Sequence, residues 1–220
     1  MKFDIITIFP KMFDSYFSES IIKRAKDGKF IDIEAHDLRD YTTDSHKTVD
    51  DTPYGGGAGM VMKVEPLWKA INDIKSKINS KGSRVILFSA KGKRYAQEDA
   101  RRLLKYENLI FICGRYEGID ERVAQNIANE EISMGDFVLT GGEVPAMAII
   151  DSIVRLIPGV LGNSESIEIE SHSEEGYLEY PQYTKPEDFL GWKVPEVLLS
   201  GNHKKVAEWR KEHSKRKNAQ

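Results

Sequence analysis

Two apolar segments, Arg84–Ser89 and Leu109–Cys113, constrain the fold of this chain more than any other feature. They alternate with segments whose apolar residues recur at helical spacing, Pro66–Ile78 and Tyr95–Lys105. Strands that are apolar along their length are covered on both faces, and strands of this kind that alternate with helices form parallel sheets. The pattern therefore predicts the α/β class.

The rest of the first 160 residues continues this alternation. Lys2–Phe9 predicts a strand, and the spacing from Met12 to Ile22 predicts a helix that ends before Gly28. The other predicted elements are a strand around 31–33, a long loop over 37–54, a helix with Asp120 as N-cap, a strand over 131–134 and a helix over 142–156. The last helix is apolar on nearly all sides, which predicts burial in a core or between subunits.

Composition narrows the class of protein. Of the 220 residues, 40% are hydrophobic and 30% charged, which is typical of a globular protein in solution. The longest apolar runs are far shorter than the ~18 residues of a membrane span, so we expect a cytoplasmic protein with no membrane partner. Cys113 is the only cysteine and the five histidines show no metal-ligand spacing, so we expect neither a disulfide nor a metal site.

Charge is distributed unevenly along the chain. The net charge is −3, yet residues 163–180 carry six glutamates and no Lys or Arg, while residues 201–220 carry seven basic residues. We predict a first domain over 1–162, an acidic linker over 163–180 and a small helical domain over 181–220. By charge alone, the basic end is either a solvated helix or an arm that contacts phosphates.

The glycine cluster Gly55–Gly59 matches the spacing of nucleotide-binding loops. Such a loop needs a hydrophobic strand before it and a helix after it, whereas Asp50–Pro53 is polar. A turn or lid is therefore favoured, and a Rossmann methyltransferase stays as an alternative.

Two later turns, over 114–120 and 133–142, follow predicted strands directly. Ligands of open α/β sheets bind at the carboxyl ends of strands, so these turns predict a pocket lined by backbone. Arg155 lies near the end of the apolar helix, where it either pairs with Asp151 or meets negative charge on a substrate.

Seven blocks of the sequence resemble one family in their residues and in their order along the chain. They are IITIFP at 5–10, HKTVDDTPYGGGAGM at 46–60, GRYEGID at 114–120, ISMGDFVLTGGE at 132–143, RLIPGVLG at 155–162, YTKP at 183–186 and VLLSGNH at 197–203. Together they resemble the bacterial tRNA (guanine-N1)-methyltransferases, the TrmD family of the knotted SPOUT class.

The resemblance implies a homodimer with a parallel sheet, a deep C-terminal trefoil knot and S-adenosyl-L-methionine bound in the knot. Glycines suit such close threading because they have no Cβ. The cofactor-binding residues implied by position are Phe88, Ser89, Gly114, Tyr116, Glu117, Gly118, Ser133, Met134, Gly135, Asp136, Phe137, Val138, Leu139, Gly141, Gly142 and Pro145.

The reaction implied is methyl transfer to N1 of the guanosine at tRNA position 37, where position 36 is also guanosine, with a requirement for Mg²⁺. N1 of guanine carries a proton, so a carboxylate must remove it while a cation balances charge on O6. By resemblance Arg155 is the cation and Glu117 holds the base or cofactor. The family has an Asp-Ser pair as base, where this chain has Glu170-Ser171, with Glu168 as the alternative.

Residues expected at the tRNA are Tyr54, Gly59, Arg155, Ser171, His203, Lys204, Lys205 and Arg210. The first cofactor loop departs from the usual Ser-Pro-Gln-Gly, since it reads Ser89-Ala90-Lys91-Gly92. The sequence also ends at Gln220, short of the family's last helices, so fewer tRNA contacts are expected. Because the aspartate is missing, a non-catalytic relative that binds tRNA and cofactor is the second hypothesis.

Overall fold

The structure, a computed structural model, describes residues 1–78, 82–162, 170–174 and 176–216. The chain divides into two compact units, Met1–Leu161 and Gly162–Gln220. Within the described ranges, no helix has both the length and the apolar character that crossing a membrane demands.

The first unit is built on a five-stranded parallel sheet, which confirms the α/β class. Its strands are β1 (Lys2–Thr7), β2 (Asp32–Asp37), β5 (Ser83–Arg94), β6 (Asn108–Ile112) and β7 (Glu130–Ser133), in the order β2-β1-β6-β5-β7. Two-residue strands β3 (Asp50–Asp51) and β4 (Val61–Met62) form a separate antiparallel pair in the predicted loop region. The trefoil knot stays a prediction.

Helices cover the sheet. They are α1 (Asp14–Phe17), α2 (Ser20–Asp27), α3 (Val64–Lys77), α4 (Gln97–Leu103), α5 (Glu121–Asn126) and α6 (Glu143–Val154), with 3₁₀ helices at Pro10–Phe13 and Leu38–Tyr41. The single helix predicted from Met12 onward is wrong. Glu19 is extended and Ser20 has a positive φ of 53°, so the helix is interrupted between α1 and α2. The N-cap prediction is confirmed, because the Asp120 carboxylate accepts from the Arg122 amide at 3.0 Å.

Alternate residues of each central strand face opposite sides of the sheet, as strand geometry requires. On β6, Leu109 and Phe111 pack in one buried cluster with α6, while Ile110 and Ile112 pack in a second cluster with α3. All four are fully buried, which explains the apolar segment in the sequence.

The strand predicted over 84–89 continues to Arg94, because β5 pairs with β7 twice. Phe88 and Lys93 both pair with Ile132, so the pairing register shifts over residues 89–92, the predicted first cofactor loop. A Cβ on Gly92 would lie 2.6 Å from the carbonyl carbon of Glu131. Glycine is therefore needed where this loop rejoins the sheet.

The elements in the described part of the second unit are short. They are β8 (Tyr177–Leu178), β9 (Asp188–Phe189), β10 (Trp192–Lys193), α7 (Glu196–Leu199), α8 (His203–His213) and β11 (Lys215–Arg216). The acidic linker predicted over 163–180 lies partly outside the described residues. Its later part differs from a linker, since Tyr177–Leu178 pairs with Lys215–Arg216.

Candidate functional site

A cavity of about 570 Å³ opens where β5, β6 and β7 end. This volume lies within the roughly 300–1,000 Å³ of small-molecule sites, and the position is the usual ligand position of open α/β sheets. Three chain segments line most of it, 87–91, 114–121 and 131–145. The prediction of a pocket formed by the two later turns is confirmed.

The predicted cofactor residues lie together at this cavity, with two exceptions. The lining residues among them are Phe88, Ser89, Gly114, Tyr116, Glu117, Gly118, Ser133, Met134, Phe137, Val138, Leu139, Gly141, Gly142 and Pro145. Gly135 and Asp136 do not line it. Gly135 turns the chain with φ of 148°, and this turn leaves the Asp136 side chain 97% exposed, 4.0 Å from Arg94.

Arg115, Ile119 and Thr140 of the two predicted turns, and Ala90 and Lys91 of the first cofactor loop, line the cavity as well. The lining residues that the sequence did not suggest are Leu87, Glu121, Ala124, Glu131 and Ile132. Most follow from tertiary contacts that no local pattern signals. Lys91 and Glu121 lie thirty residues apart, for example, yet the Lys91 ammonium donates to the Glu121 carboxylate.

Gly142 sits at a close approach of two chain segments. A Cβ on this residue would lie 2.6 Å from Cys113 Cα and 3.1 Å from Gly114 N. The Gly142 amide donates to the Gly114 carbonyl at 3.1 Å, which joins the two turns directly. There is therefore no room for a side chain at this position.

A buried carboxylate lies behind the same two turns. Glu143 is fully buried at the start of α6, where its Oε1 accepts from the Thr7 hydroxyl at 2.7 Å. Its Oε2 accepts from Arg115 Nε at 3.0 Å, and the same guanidinium lies 4.9 Å from the centre of the Phe9 ring. The first turn of a helix favours a negative charge, so this ion pair is well placed.

The Gly55–Gly59 segment is a turn between β3 and β4, as favoured from the sequence. The alternative of a Rossmann nucleotide loop is wrong, because a two-residue strand follows instead of a helix and these glycines do not line the cavity. Tyr54 is fully exposed beside the turn. Gly59 abuts the Glu117 side chain, and the Glu117 amide donates to the Met60 carbonyl at 3.0 Å.

The expected catalytic residues fall in both units. Arg155 directly follows α6 as its C-cap and does not line the cavity. The Asp151 carboxylate accepts from the Tyr16 hydroxyl at 2.6 Å, and this bond raises the pKa of Tyr16 to about 12. In the second unit, Ser171 Oγ accepts from the Glu179 amide at 3.0 Å. The alternative base Glu168 lies outside the described residues.

A cluster that the sequence did not suggest lies on β1 and β2. The ligand atoms of Asp4, Glu34 and His36 lie within 4.8 Å of one another. The Lys2 ammonium lies 3.3 Å from Asp4 Oδ1 and 2.9 Å from Glu34 Oε2. Lysine thus already supplies the positive charge that a metal ion would bring.

Fold and cavity together define an α/β protein with a cavity of small-molecule size at the carboxyl edge of a parallel sheet, lined largely by two glycine-containing turns. Comparison with known proteins specifies the family. The sequence model described as tRNA (Guanine-1)-methyltransferase TrmD matches residues 1–220. The chain belongs to this family.

Individual relatives agree with that membership. The tRNA (guanine-N(1)-)-methyltransferase of Geobacter sulfurreducens is 55% identical over 212 residues, which cover 96% of this chain and 85% of the relative. That of Dehalococcoides mccartyi strain BAV1 is 53% identical over 217 residues, covering 99% and 87%. The crystal structure of tRNA (m1G37) methyltransferase from Aquifex aeolicus matches with a TM-score of 0.81 and 38% identity, covering 97% of this chain and 88% of that one.

Proposed function

We propose that this chain transfers the methyl group of S-adenosyl-L-methionine to N1 of the guanosine at tRNA position 37, next to the anticodon. The main support for this proposal is the glycine-lined cavity at the carboxyl edge of the sheet, in a chain that belongs to the tRNA (guanine-1)-methyltransferase family. The Aquifex relative is named for the same position. The cytoplasm, where tRNA is processed, is the proposed location.

The cavity suits S-adenosyl-L-methionine in size and chemistry. Backbone groups of the turns at 114–118 and 133–142 can bind the polar edge of an adenine ring, while Phe137, Val138 and Leu139 offer apolar surface for its faces. These three side chains are 42% to 86% exposed, so apolar surface is available for a ligand to cover. When bound, the cofactor supplies the electrophilic methyl group.

Residues of the chain then have to accept the N1 proton of guanine and to balance the negative charge that develops on O6. Glu170 accepts the N1 proton of guanine, and Arg155 balances the negative charge on O6. Glu117 lines the cavity beside Gly59 and holds the base or the cofactor in place. A glutamate reaches one methylene further than the family's aspartate, so we expect a working base with an altered rate.

We propose a homodimer formed through α6 and the segment before α1. Phe9, Met12, Tyr16 and Val144 are large apolar residues with 40% to 55% of their surface exposed. The bond from Tyr16 to Asp151 holds α1 against α6, so these side chains share one region of the first unit. A self-complementary apolar region of this kind suits a two-fold interface. Analytical ultracentrifugation of the full chain should therefore give twice the monomer mass.

The basic helix α8 is the proposed contact for the tRNA backbone. Its exposed cations are Lys204, Lys205, Arg210 and Lys211, and the exposed His203 begins the helix beside them. Arg210 also lies over the Tyr180 ring at 4.9 Å, which fixes one of these charges in place. Tyr54, Gly59 and Ser171 are proposed as further tRNA contacts.

The decisive assay uses labelled S-adenosyl-L-methionine and unmodified tRNA transcripts. Label should enter a transcript with guanosine at 36 and 37 and should not enter one with adenosine at 37. The assay includes Mg²⁺ and a chelated control, which together test the expected requirement for Mg²⁺. The acidic cluster at Asp4 is not the proposed site of this ion, because Lys2 already pairs with it and it does not line the cavity. Incorporation that ignores position 37 would overturn the proposed specificity.

A non-catalytic tRNA-binding relative is the second candidate, favoured by glutamate at 170 where the family has aspartate. Calorimetric binding measurements, combined with the methyl-incorporation assay, distinguish this candidate from the active enzyme. Cofactor and tRNA binding without any methyl incorporation would support this candidate. Incorporation by the wild type that is lost in Glu170→Gln would exclude it.

A further inference from the structure

Arg115 connects the two turns that form the cavity. It follows Gly114 in the first turn, and its Nη1 donates at 3.1 Å to the carbonyl of Thr140 in the second. Arg115 and Thr140 both line the cavity. The orientation of this guanidinium therefore helps to determine the distance between the two walls.

The buried carboxylate of Glu143 determines that orientation. Arg115 Nε and Nη2 lie 3.0 and 2.9 Å from the same oxygen, Glu143 Oε2. The other oxygen is held by Thr7 at the end of β1, so Glu143 cannot turn away from the arginine without losing a buried hydrogen bond. The Glu143 side chain itself is 1% exposed and does not line the cavity.

Gly141 leaves room for the Arg115–Glu143 pair, and Phe9 packs against it. A Cβ on Gly141 would collide with Arg115 and would lie 2.6 Å from Glu143 Oε2. The Phe9 ring covers the guanidinium from another side, and Phe9 is itself fixed because its amide donates to Thr7 Oγ1 at 2.9 Å. Arg115 is thus held by ion pairing, by a carbonyl and by an aromatic face.

We infer that Glu143 is a positioning residue for cofactor binding, which acts through Arg115 to hold the Gly114 and Thr140–Gly142 turns at the spacing the ligand needs. This inference rests on the proposed function, because it assigns a residue to the same site. A carboxylate to amide change keeps the shape of Glu143 and removes its charge. The Arg115 guanidinium then loses its charged partner, and the bond that it donates to the Thr140 carbonyl is no longer held in a fixed orientation.

The test measures the Kd of S-adenosyl-L-methionine by calorimetry for the wild type, Glu143→Gln, Arg115→Gln and the double variant. We expect each single change to raise Kd about tenfold or more, because a partly buried charge-assisted hydrogen bond is lost. The double variant should be no weaker than the weaker single one, because residues that act as one unit give non-additive effects. KM for the cofactor should rise with Kd, while kcat at saturation should fall less.

Glu130→Gln is the matched control. Glu130 is also a largely buried glutamate paired with arginines, since Arg102 Nη2 lies 2.7 Å and Arg84 Nε 3.0 Å from its carboxylate, but it does not line the cavity. This variant should bind the cofactor within about twofold of the wild type, because its carboxylate pairs with Arg102 and Arg84, neither of which lines the cavity.

Each outcome separates the two proposals. An unchanged Kd in Glu143→Gln, an additive double variant or an equal loss in Glu130→Gln would overturn the positioning role, while the wild-type titration would still support cofactor binding. A wild type that does not bind S-adenosyl-L-methionine would instead overturn the proposed function, and the positioning role with it.

Discussion

Gly142→Ala should destabilise the fold through a steric clash with the backbone at Cys113 and Gly114. Gly142 has φ of −84° and ψ of −4°, a region of negative φ that does not itself require glycine. The added methyl group would nevertheless lie 2.6 Å from Cys113 Cα and 3.1 Å from Gly114 N. Backbone atoms on both sides have to separate, because neither neighbour can rotate away.

The size of the effect follows from that distance. Ordinary contact begins near 3.4 Å, so the segments must move apart by about 0.8 Å. Overpacking of a core costs about 1–3 kcal/mol, and we expect the upper end because the obstacle is backbone. For a chain of this length, each kcal/mol lowers Tm by roughly 2–4 °C, which gives a loss of roughly 6–12 °C. The bond from Gly142 N to Gly114 O at 3.1 Å would also be strained.

Thermal unfolding followed by circular dichroism measures this change, and calorimetry with S-adenosyl-L-methionine measures its effect on the site. Cofactor affinity should fall as well, since Gly142 and Gly114 both line the cavity. Gly162→Ala is the control, because its Cβ would have no atom within 4 Å and should leave Tm within about 1 °C. A Gly142→Ala protein with wild-type Tm and affinity would refute the close-approach argument.

Charged residues elsewhere give three further predictions. Glu170→Gln should abolish methyl transfer with cofactor Kd unchanged, whereas Glu170→Asp should retain turnover; equal rates in all three proteins would show that Glu170 is not the base. Replacing two lysines of α8, Lys204 and Lys205, with alanine should reduce the slope of log K for tRNA against log salt by about one for each phosphate that the protein no longer neutralises, as filter binding at several salt concentrations would measure. Burial raises the pKa of Glu130, but its hydrogen bonds from Arg102 and Arg84 lower it by more, so the folded-state pKa lies below the usual value. The carboxylate therefore stabilises the fold above about pH 4.3, and Glu130→Gln should cost about 1 kcal/mol at pH 7, a difference that disappears as the pH falls through the lowered pKa. A constant difference between pH 7 and pH 3 in denaturant titrations would contradict this sign.

Local sequence patterns predicted the main elements because each depends on residues close together in the chain. The apolar segment Leu109–Cys113 became β6, and the helical spacing of Pro66–Ile78 became part of α3, each with ends shifted by one or two residues. The prediction was wrong at Ser20, where a positive φ breaks the helix although the apolar spacing continues. Periodicity reports which face is buried and carries no information on a single backbone dihedral angle.

The sequence by itself determined the fold class, the position of the ligand turns and, through seven blocks of similarity, the family. Only the tertiary structure decided which side chains meet. The pairing of Arg115 with Glu143, and of Glu143 with Thr7 136 positions away, leaves no periodic signal because its partners come from separate elements. Burial and charge pairing are properties of the packed chain, whereas propensity and spacing are properties of its local sequence.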